Sequence, residues 1–287
     1  MVEDRAHAQH RCHLRAARRR RPSRRRSHLA RRRRCRSCAH ADERDRRGAL
    51  HLKGERRVVV LGHRGGRGEG WPEENGLEAF ARALAEGAEG VELDVRLTAD
   101  GVPVLVHDPA LADGRLVGAV KRADLPPAIA TLGDALDALR GKIVNVELKG
   151  DLRPGTVTLD AAARISLART AARAVADARG VEVVFSSFDP TIVLALAAIA
   201  PRVERAILVG PRTPRAAMPL VLGMRPAVHA AHLEDSLVTR ERVQRLLAAR
   251  LRVCAWTVND EARADELVRW GVDWLITDRP AAITRRR

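Results

Sequence analysis

The chain has 287 residues, more than the roughly 100 to 200 residues of a typical domain but within the range of one α/β barrel. An apolar fraction of 46% excludes a wholly disordered chain, and the 2% of aromatic residues predicts a core of Ala, Leu and Val. The formal charge of +16 would indicate a nucleic-acid-binding protein if it were spread along the whole chain.

The positive charge is instead concentrated in residues 1–57. This segment holds 21 Lys and Arg against 6 Asp and Glu, which leaves 31 against 30 for residues 58–287. Arginine runs without apolar periodicity repel one another and stay solvated. We expect a disordered or wrongly translated extension, and the alternative is an arm that contacts nucleic acid or anionic membrane. Because no signal-like or membrane-spanning apolar run is present, we expect a soluble, cytoplasmic protein without a transmembrane segment.

From residue 58 onward, short apolar runs alternate with Ala-, Leu- and Arg-rich stretches of helical period. This alternation predicts a parallel sheet, and eight units over about 230 residues favour a (β/α)₈ TIM barrel at 58–287. We expect Pro211, Pro214 and Pro219 to interrupt the fifth helix. The eight predicted strands are VVVLG, GVELDVRL, KIVNVELKG, VEVVFSS, RVERAILVG, PAVHAAHL, LRVCAWTVN and VDWLITD.

Short polar residues mark the predicted starts of several helices, and glycines mark the predicted ends. Asp189 and Asn259 are predicted to cap the helices that follow them, and Asn75 to cap the first helix. The glycines predicted to end helices in the left-handed conformation are Gly87, Gly141, Gly180 and Gly271.

In such a barrel the active site lies at the carboxyl ends of the strands. Three carboxylates there would repel one another unless a cation held them, and oxygen ligands select Mg²⁺ or Ca²⁺ over zinc. Cationic side chains beside them are natural partners of a phosphate. The combination indicates metal-assisted phosphoryl chemistry. The polar and aromatic residues that the pattern brings to this end are His63, Arg64, Glu92, Asp94, His107, Asp108, Glu147, Lys149, Trp256, Thr257 and Asn259.

Seven motifs in one order carry a resemblance to the glycerophosphodiester phosphodiesterases. They are HRGG at 63–66, PEENGLEAF at 72–80, GAEGVELDVRLTADGVPVLVHD at 87–108, NVELK at 145–149, FSSFDP at 185–190, WTVN at 256–259 and GVDWLITDRP at 271–280. The resemblance covers nearly all of residues 58–280. It implies a TIM barrel that hydrolyses glycerophosphodiesters to an alcohol and sn-glycerol 3-phosphate, with one divalent cation.

The resemblance also implies roles for individual residues. It makes His63 and His107 the acid/base pair and Glu92, Asp94 and Glu147 the metal ligands. It gives the phosphate to Arg64 and Lys149, lines the mouth with Trp256, and implies weaker roles for Glu74, Asn75 and Asn259. The family also suggests a cyclic phosphate intermediate.

Some of these residues, and the function itself, also have alternative interpretations. Glu147 and Lys149 alone would be typical of solvated rim residues, and His229 and His232 of satisfied structural histidines. The alternative functions are a related phosphodiesterase acting on lysophospholipids, or a non-catalytic barrel carrying the basic arm. The chain has Gly76 where the family has threonine, and a short connection at 109–130 that predicts an open mouth and broad tolerance for head groups.

Overall fold

The structure, a computed structural model, describes residues 57–150, 159–211 and 217–285. The predicted extension therefore lies outside the described residues, apart from Arg57. The nine strands are β1 (Val59–His63), β2 (Gly90–Leu97), β3 (Pro103–Leu105), β4 (Ile143–Leu148), β5 (Glu182–Ser187), β6 (Glu204–Val209), β7 (Ala230–Glu234), β8 (Arg252–Trp256) and β9 (Trp274–Thr277). The helices are α1 (Leu77–Ala85), α2 (Leu132–Ala138), α3 (Ala161–Asp177), α4 (Pro190–Ile199), α5 (Ala217–Gly223), α6 (Arg240–Ala248), α7 (Glu261–Trp270) and α8 (Pro280–Thr284).

Eight of the strands form a closed parallel barrel. The order runs β1-β9-β8-β7-β6-β5-β4-β2, and β1 also pairs with β2, which closes the sheet on itself. Helices follow the strands on the outside, so the predicted (β/α)₈ TIM barrel is confirmed. The eight predicted strands correspond to β1, β2 and β4–β9.

Two local features differ from the predicted pattern. The short strand β3 pairs antiparallel with the end of β2, because the chain turns back at residues 98–102 before leaving the barrel. The predicted interruption of the fifth helix can be compared only in part, because Pro214 lies outside the described residues, which contain α5 from Ala217 to Gly223. Pro219 lies in its first turn, where a backbone N–H has no partner within the helix, so the ring is tolerated.

The predicted caps are confirmed at Asp189 and at Gly271, the left-handed C-cap of α7, and Gly87 directly follows the C-cap of α1. Gly141 and Gly180 lie two residues beyond the C-caps of α2 and α3, so they do not cap these helices. Gly87, Gly141, Gly180 and Gly271 all have positive φ, and Asp189 accepts a hydrogen bond from the Thr191 amide at the start of α4. The two asparagine caps are wrong. Asp260, not Asn259, caps α7, and α1 follows Gly76 without a side-chain cap.

Alternate residues of the barrel strands face either the outer helices or the barrel interior. The interior cluster consists of Leu61, Val184, Ala206, Ala230, Cys254, Trp274 and Ile276. His232 lies two positions after Ala230 on the same face of β7 and is 0% exposed, and neither of its ring nitrogens has a hydrogen-bond partner among the described residues. The prediction of a structural histidine fits this position, but the expectation that it is satisfied is wrong.

Gly90 at the start of β2 permits an unusually close approach between neighbouring strands. A Cβ atom at this position would overlap the carbonyl oxygen of Ile143 on β4. The two strands that carry the predicted metal ligands therefore depend on a glycine here.

Within the described ranges, the helices are too short or too polar for any of them to cross a bilayer.

Candidate active site

Most of the predicted polar residues line one cavity of about 280 Å³ at the carboxyl ends of the strands, whereas Asp94, Asp108 and Asn259 are not part of its lining. The strands bring them together because β1, β2 and β4 are hydrogen-bonded neighbours. In this register His63 pairs with Glu92, and Asp94 pairs with Glu147. The cavity is lined by His63, Arg64, Arg67, Glu92, His107, Asn145, Glu147, Lys149, Phe188, Leu208, Trp256, Thr257 and Ile276.

Three buried carboxylates, those of Glu92, Asp94 and Glu147, form the centre of the site. Their ligand oxygens all lie within 4.8 Å of one another. Burial and then the charges of Asp94 and Glu147 raise the pKa of Glu92 well above its usual range. Burial also raises the pKa of Glu147, against the opposing effect of Lys149. A cluster of oxygens whose ionisation is disfavoured by burial and mutual repulsion fits a hard divalent cation, Mg²⁺ or Ca²⁺.

Asp94 is held by cations of the protein itself. Its Oδ1 lies 2.7 Å from Lys149 Nζ, and its Oδ2 lies 3.0 Å from Arg64 Nε. Burial alone would raise its pKa, but Lys149 and Arg64 hold the pKa well below its usual range. Lys149 also lies 2.6 Å from Glu147 Oε1. The two predicted phosphate ligands are thus paired with carboxylates in the structure.

Arg64 occupies a strained position directly after β1. Its φ is 51°, in the left-handed region that β-carbon-bearing residues rarely adopt, and its backbone N–H donates to Glu92 Oε2 at 3.1 Å. Its guanidinium also donates to Glu74 Oε1 at 2.8 Å. The turn at HRGG thereby directs the Arg64 side chain toward the carboxylates.

The ring of His63 is oriented by Asp278, a residue that is distant in the sequence. Its Nδ1 lies 2.7 Å from Asp278 Oδ1, in the residue that follows β9, and its Nε2 lies 3.9 Å from Glu92 Oε2. Burial alone would raise the pKa of Asp278, but the hydrogen bond and charge of His63 hold it well below its usual range. An ionised carboxylate only accepts hydrogen bonds, so a proton on Nδ1 would donate to Asp278, while Nε2 faces the carboxylates; Arg67 Nη2 also lies 3.1 Å from Nδ1.

Asn259 completes this arrangement instead of capping a helix. Its Nδ2 donates to Asp278 Oδ2 at 2.8 Å, and its Oδ1 accepts from the Asp278 amide at 2.9 Å. Asn75 makes an equivalent pair of bonds with Asp94, donating to Oδ2 and accepting from the amide, both at 3.0 Å. Both asparagines therefore hold carboxylates of the site in place.

His107 lies just beyond β3, beside Lys149 in the cavity lining. Its Nδ1 lies 2.8 Å from Asp108 Oδ1, and its carbonyl oxygen accepts from Arg96 Nη2 at 2.7 Å. Burial and then the charge of Lys149 lower the pKa of His107 to about 4. The ring is therefore neutral at pH 7, the state in which an imidazole accepts a proton.

Trp256, at the end of β8, and Phe188, just after β5, form an aromatic wall of the cavity. Trp256 donates from Nε1 to the carbonyl oxygen of His232 at 3.1 Å, and Phe188 meets its ring edge-on at a centroid distance of 5.6 Å. Phe188 is 37% exposed, which is unusual for a large aromatic side chain. The wall offers apolar contact to a substrate in the cavity.

Sequence reasoning missed three residues of the site: Asp278, Asn145 and Arg67. Asp278 and Asn145 stand inside the quoted motifs TDRP and NVELK. Nothing local shows that Asp278 reaches His63, whereas Asn145 stands two residues before Glu147 and so shares its face of the strand, a signal that was available in the sequence. Arg67 contacts Asp278 Oδ1 at 3.1 Å and follows HRGG, where an exposed arginine is unremarkable. Asp278 and Arg67 become recognisable as site residues only once the barrel is closed.

A family model for the glycerophosphoryl diester phosphodiesterase family matches residues 63–282. Glycerophosphodiester phosphodiesterase 1 of Bos taurus is 49% identical over 63 residues, which are 22% of this chain and 18% of that protein, so the match spans about a fifth of this relative's length. A glycerophosphodiester phosphodiesterase of Caldanaerobacter subterraneus is 25% identical over 250 residues, 79% of this chain and 96% of that protein.

The fold also matches solved structures. A phosphodiesterase from Oleispira antarctica, solved in complex with the product sn-glycerol-3-phosphate, is 26% identical with a TM-score of 0.68. The similarity covers 79% of this chain and 95% of that chain. With a family match over residues 63–282, the chain belongs to the glycerophosphoryl diester phosphodiesterase family of phosphoric diester hydrolases.

Proposed function

We propose that the protein hydrolyses glycerophosphodiesters to an alcohol and sn-glycerol 3-phosphate. The observation that carries the proposal is that two histidines line one cavity together with a buried carboxylate cluster and the cationic side chains of Arg64 and Lys149. The Oleispira antarctica relative was solved with sn-glycerol-3-phosphate, which supports the same product here.

Glu92, Asp94 and Glu147 would hold one divalent cation, which when bound would supply positive charge for the phosphate oxygens. Lys149 and Arg64 already pair with these carboxylates, so they lie where a phosphate beside the cluster would meet them. Arginine and lysine donate charge-assisted hydrogen bonds to phosphate oxygens. These residues therefore bind and orient the phosphodiester.

The two histidines exchange protons with the reacting oxygens. One ring removes a proton from the attacking hydroxyl or water as its oxygen bonds to phosphorus. The other ring gives a proton to the alcohol oxygen as the bond from phosphorus to that oxygen breaks. His107 is neutral at pH 7 and can take up a proton, whereas the ring that donates must carry a proton on the nitrogen facing the alcohol oxygen, so the two rings start the reaction in different protonation states. Trp256 and Phe188 would contact the alcohol portion.

The proposal is tested by the release of glycerol 3-phosphate from glycerophosphocholine by the purified full chain. We expect His63→Ala and His107→Ala each to lower turnover by about 10² to 10⁴, because each removes one proton transfer. Glu92→Ala and an excess of EDTA are expected to abolish turnover. His229→Ala, which changes an exposed histidine outside the cavity, is the matched control and keeps full activity.

Far-UV circular dichroism of each variant separates loss of chemistry from loss of fold. Full activity in either histidine variant would contradict the acid/base assignment. Full activity in excess EDTA would contradict the cation.

A further inference from the structure

Asn145 is a buried polar residue of the cavity to which the proposed reaction gives no role. It lies on β4 between Val144 and Val146, whose side chains pack under the outer helices, so its own side chain points into the barrel. It is 1% exposed and lines the cavity that holds the carboxylates.

The two polar atoms of the Asn145 amide have different surroundings. Nδ2 donates to Ser186 Oγ on β5 at 3.1 Å, which fixes the orientation of the amide. Oδ1 is buried and, among the described residues, has no hydrogen-bond donor. An unpaired buried carbonyl oxygen is costly, and a donor hydrogen or a cation removes that cost.

The strand register places this oxygen beside the proposed cation site. Asn145 pairs with Glu92 on β2 and is two residues from Glu147 on the same face of β4. Both neighbours contribute oxygens to the carboxylate cluster. Along β4 and across to β2, Asn145 therefore has two predicted metal ligands as strand neighbours.

Few carboxylate oxygens of the cluster are free to bind a cation. Asp94 Oδ1 and Glu147 Oε1 pair with Lys149, Asp94 Oδ2 with Arg64 and Asn75, and Glu92 Oε2 with the Arg64 amide. In the described part of the chain, this leaves Glu92 Oε1 and Glu147 Oε2 without such partners. A neutral oxygen adds a ligand to the set without adding to the repulsion among the carboxylates.

We propose that Asn145 Oδ1 is a fourth protein oxygen that coordinates the divalent cation. The inference rests on the cation site of the proposed function and adds to it a neutral ligand on the cavity floor. Ca²⁺ in particular accepts amide carbonyl oxygens and needs six to eight ligands.

The test measures cation binding in the full chain without substrate. Calorimetric titration of the metal-free protein with Ca²⁺ gives the affinity, and the luminescence lifetime of bound Tb³⁺ in H₂O and D₂O gives the number of coordinated waters. We expect Asn145→Leu, which has nearly the same shape but no oxygen, to weaken Ca²⁺ binding about tenfold and to add one water. Asn145→Asp keeps an oxygen and is expected to strengthen binding with an unchanged water count.

Asn259→Leu is the matched control, because its oxygen already accepts hydrogen bonds from the Thr277 hydroxyl and the Asp278 amide. We expect this variant to keep both the Ca²⁺ affinity and the water count. If Asn145→Leu fails to fold, Asn145→Asp alone decides, since an added water would overturn the inference.

An unchanged water count in a folded Asn145→Leu protein would overturn direct coordination, whatever the affinity. Wild-type protein that binds Ca²⁺ together with an unaffected Asn145→Leu variant would overturn this inference and leave the proposed function standing. Failure of the wild-type protein to bind any divalent cation would overturn both.

Discussion

His232 predicts a measurable weakness of the fold in acid. Burial in the barrel interior lowers the pKa of its imidazole to about 3, whereas a histidine in the unfolded chain titrates near 6.5. At pH values between these two pKa values, His232 is protonated in the unfolded state but not in the folded state. The free energy of unfolding therefore falls by about 1.4 kcal/mol for each unit by which the pH drops below 6.5, which amounts to about 3 kcal/mol between pH 7.5 and 4.5.

His232→Leu removes this titration and replaces the unpaired ring nitrogens with apolar surface. The hydrogen bond from Trp256 goes to the backbone carbonyl of residue 232, so it does not depend on the side chain. At pH 7.5 we expect the variant to equal or exceed the wild-type protein in stability, because an unpaired buried polar group costs about 1 to 3 kcal/mol.

The assay is urea unfolding of the full chain, followed by far-UV circular dichroism at pH 7.5, 6.0 and 4.5. We expect the free energy of unfolding of the variant, relative to wild type, to rise by about 3 kcal/mol across this range. His229→Leu is the control, and because His229 is exposed we expect a smaller change. A constant difference between His232→Leu and wild type at the three pH values would refute the reasoning.

Three further predictions concern the site and its supporting strands. Asp278→Asn is expected to lower kcat about 10² to 10⁴ while leaving Ca²⁺ affinity unchanged, since it disturbs only the orientation of His63; an equal loss of Ca²⁺ affinity would show a wider role. Gly90→Ala is expected to lower the free energy of unfolding by about 3 kcal/mol or more through overlap with Ile143, and wild-type stability in urea would contradict the close approach. The short connection at 109–130 predicts kcat/KM values within about tenfold across glycerophosphodiesters and lysophospholipids that differ in the alcohol, and one strongly preferred substrate would disprove the open mouth.

The barrel was predictable because each strand is encoded locally. Runs such as VVVLG and KIVNVELKG are too apolar for loops and too short for helices, and glycines such as Gly271 end the helices between them. Strand β3 was not predicted because three residues are too few to show an alternation of apolar and polar positions. Its pairing also depends on where β2 ends. α5 was only partly predictable, since a proline in a first turn and one in a helix interior look alike in sequence.

The contacts within the site were less predictable than its members. Asn75 and Asn259 each precede a helix, a position at which an asparagine predicts an N-cap. The sequence pattern is the same whether the side chain bonds the next helical turn or, as here, a carboxylate 19 residues away. Asp278 and His63 are separated by 215 positions, so no spacing rule links them. Long-range hydrogen bonds of this kind follow from closure of the barrel and not from any local pattern.

The hydrogen bond between His63 and Asp278 joins the end of the first strand to the residue after the last strand of the barrel. The carboxylates of Glu92 and Glu147, by contrast, come from strands that are complete by residue 148. A chain that lacked Asp278 would already carry the proposed cation ligands but not the group that orients its first histidine. The proposed hydrolysis therefore depends on the docking of β9 against β1, and activity would report that the barrel has closed.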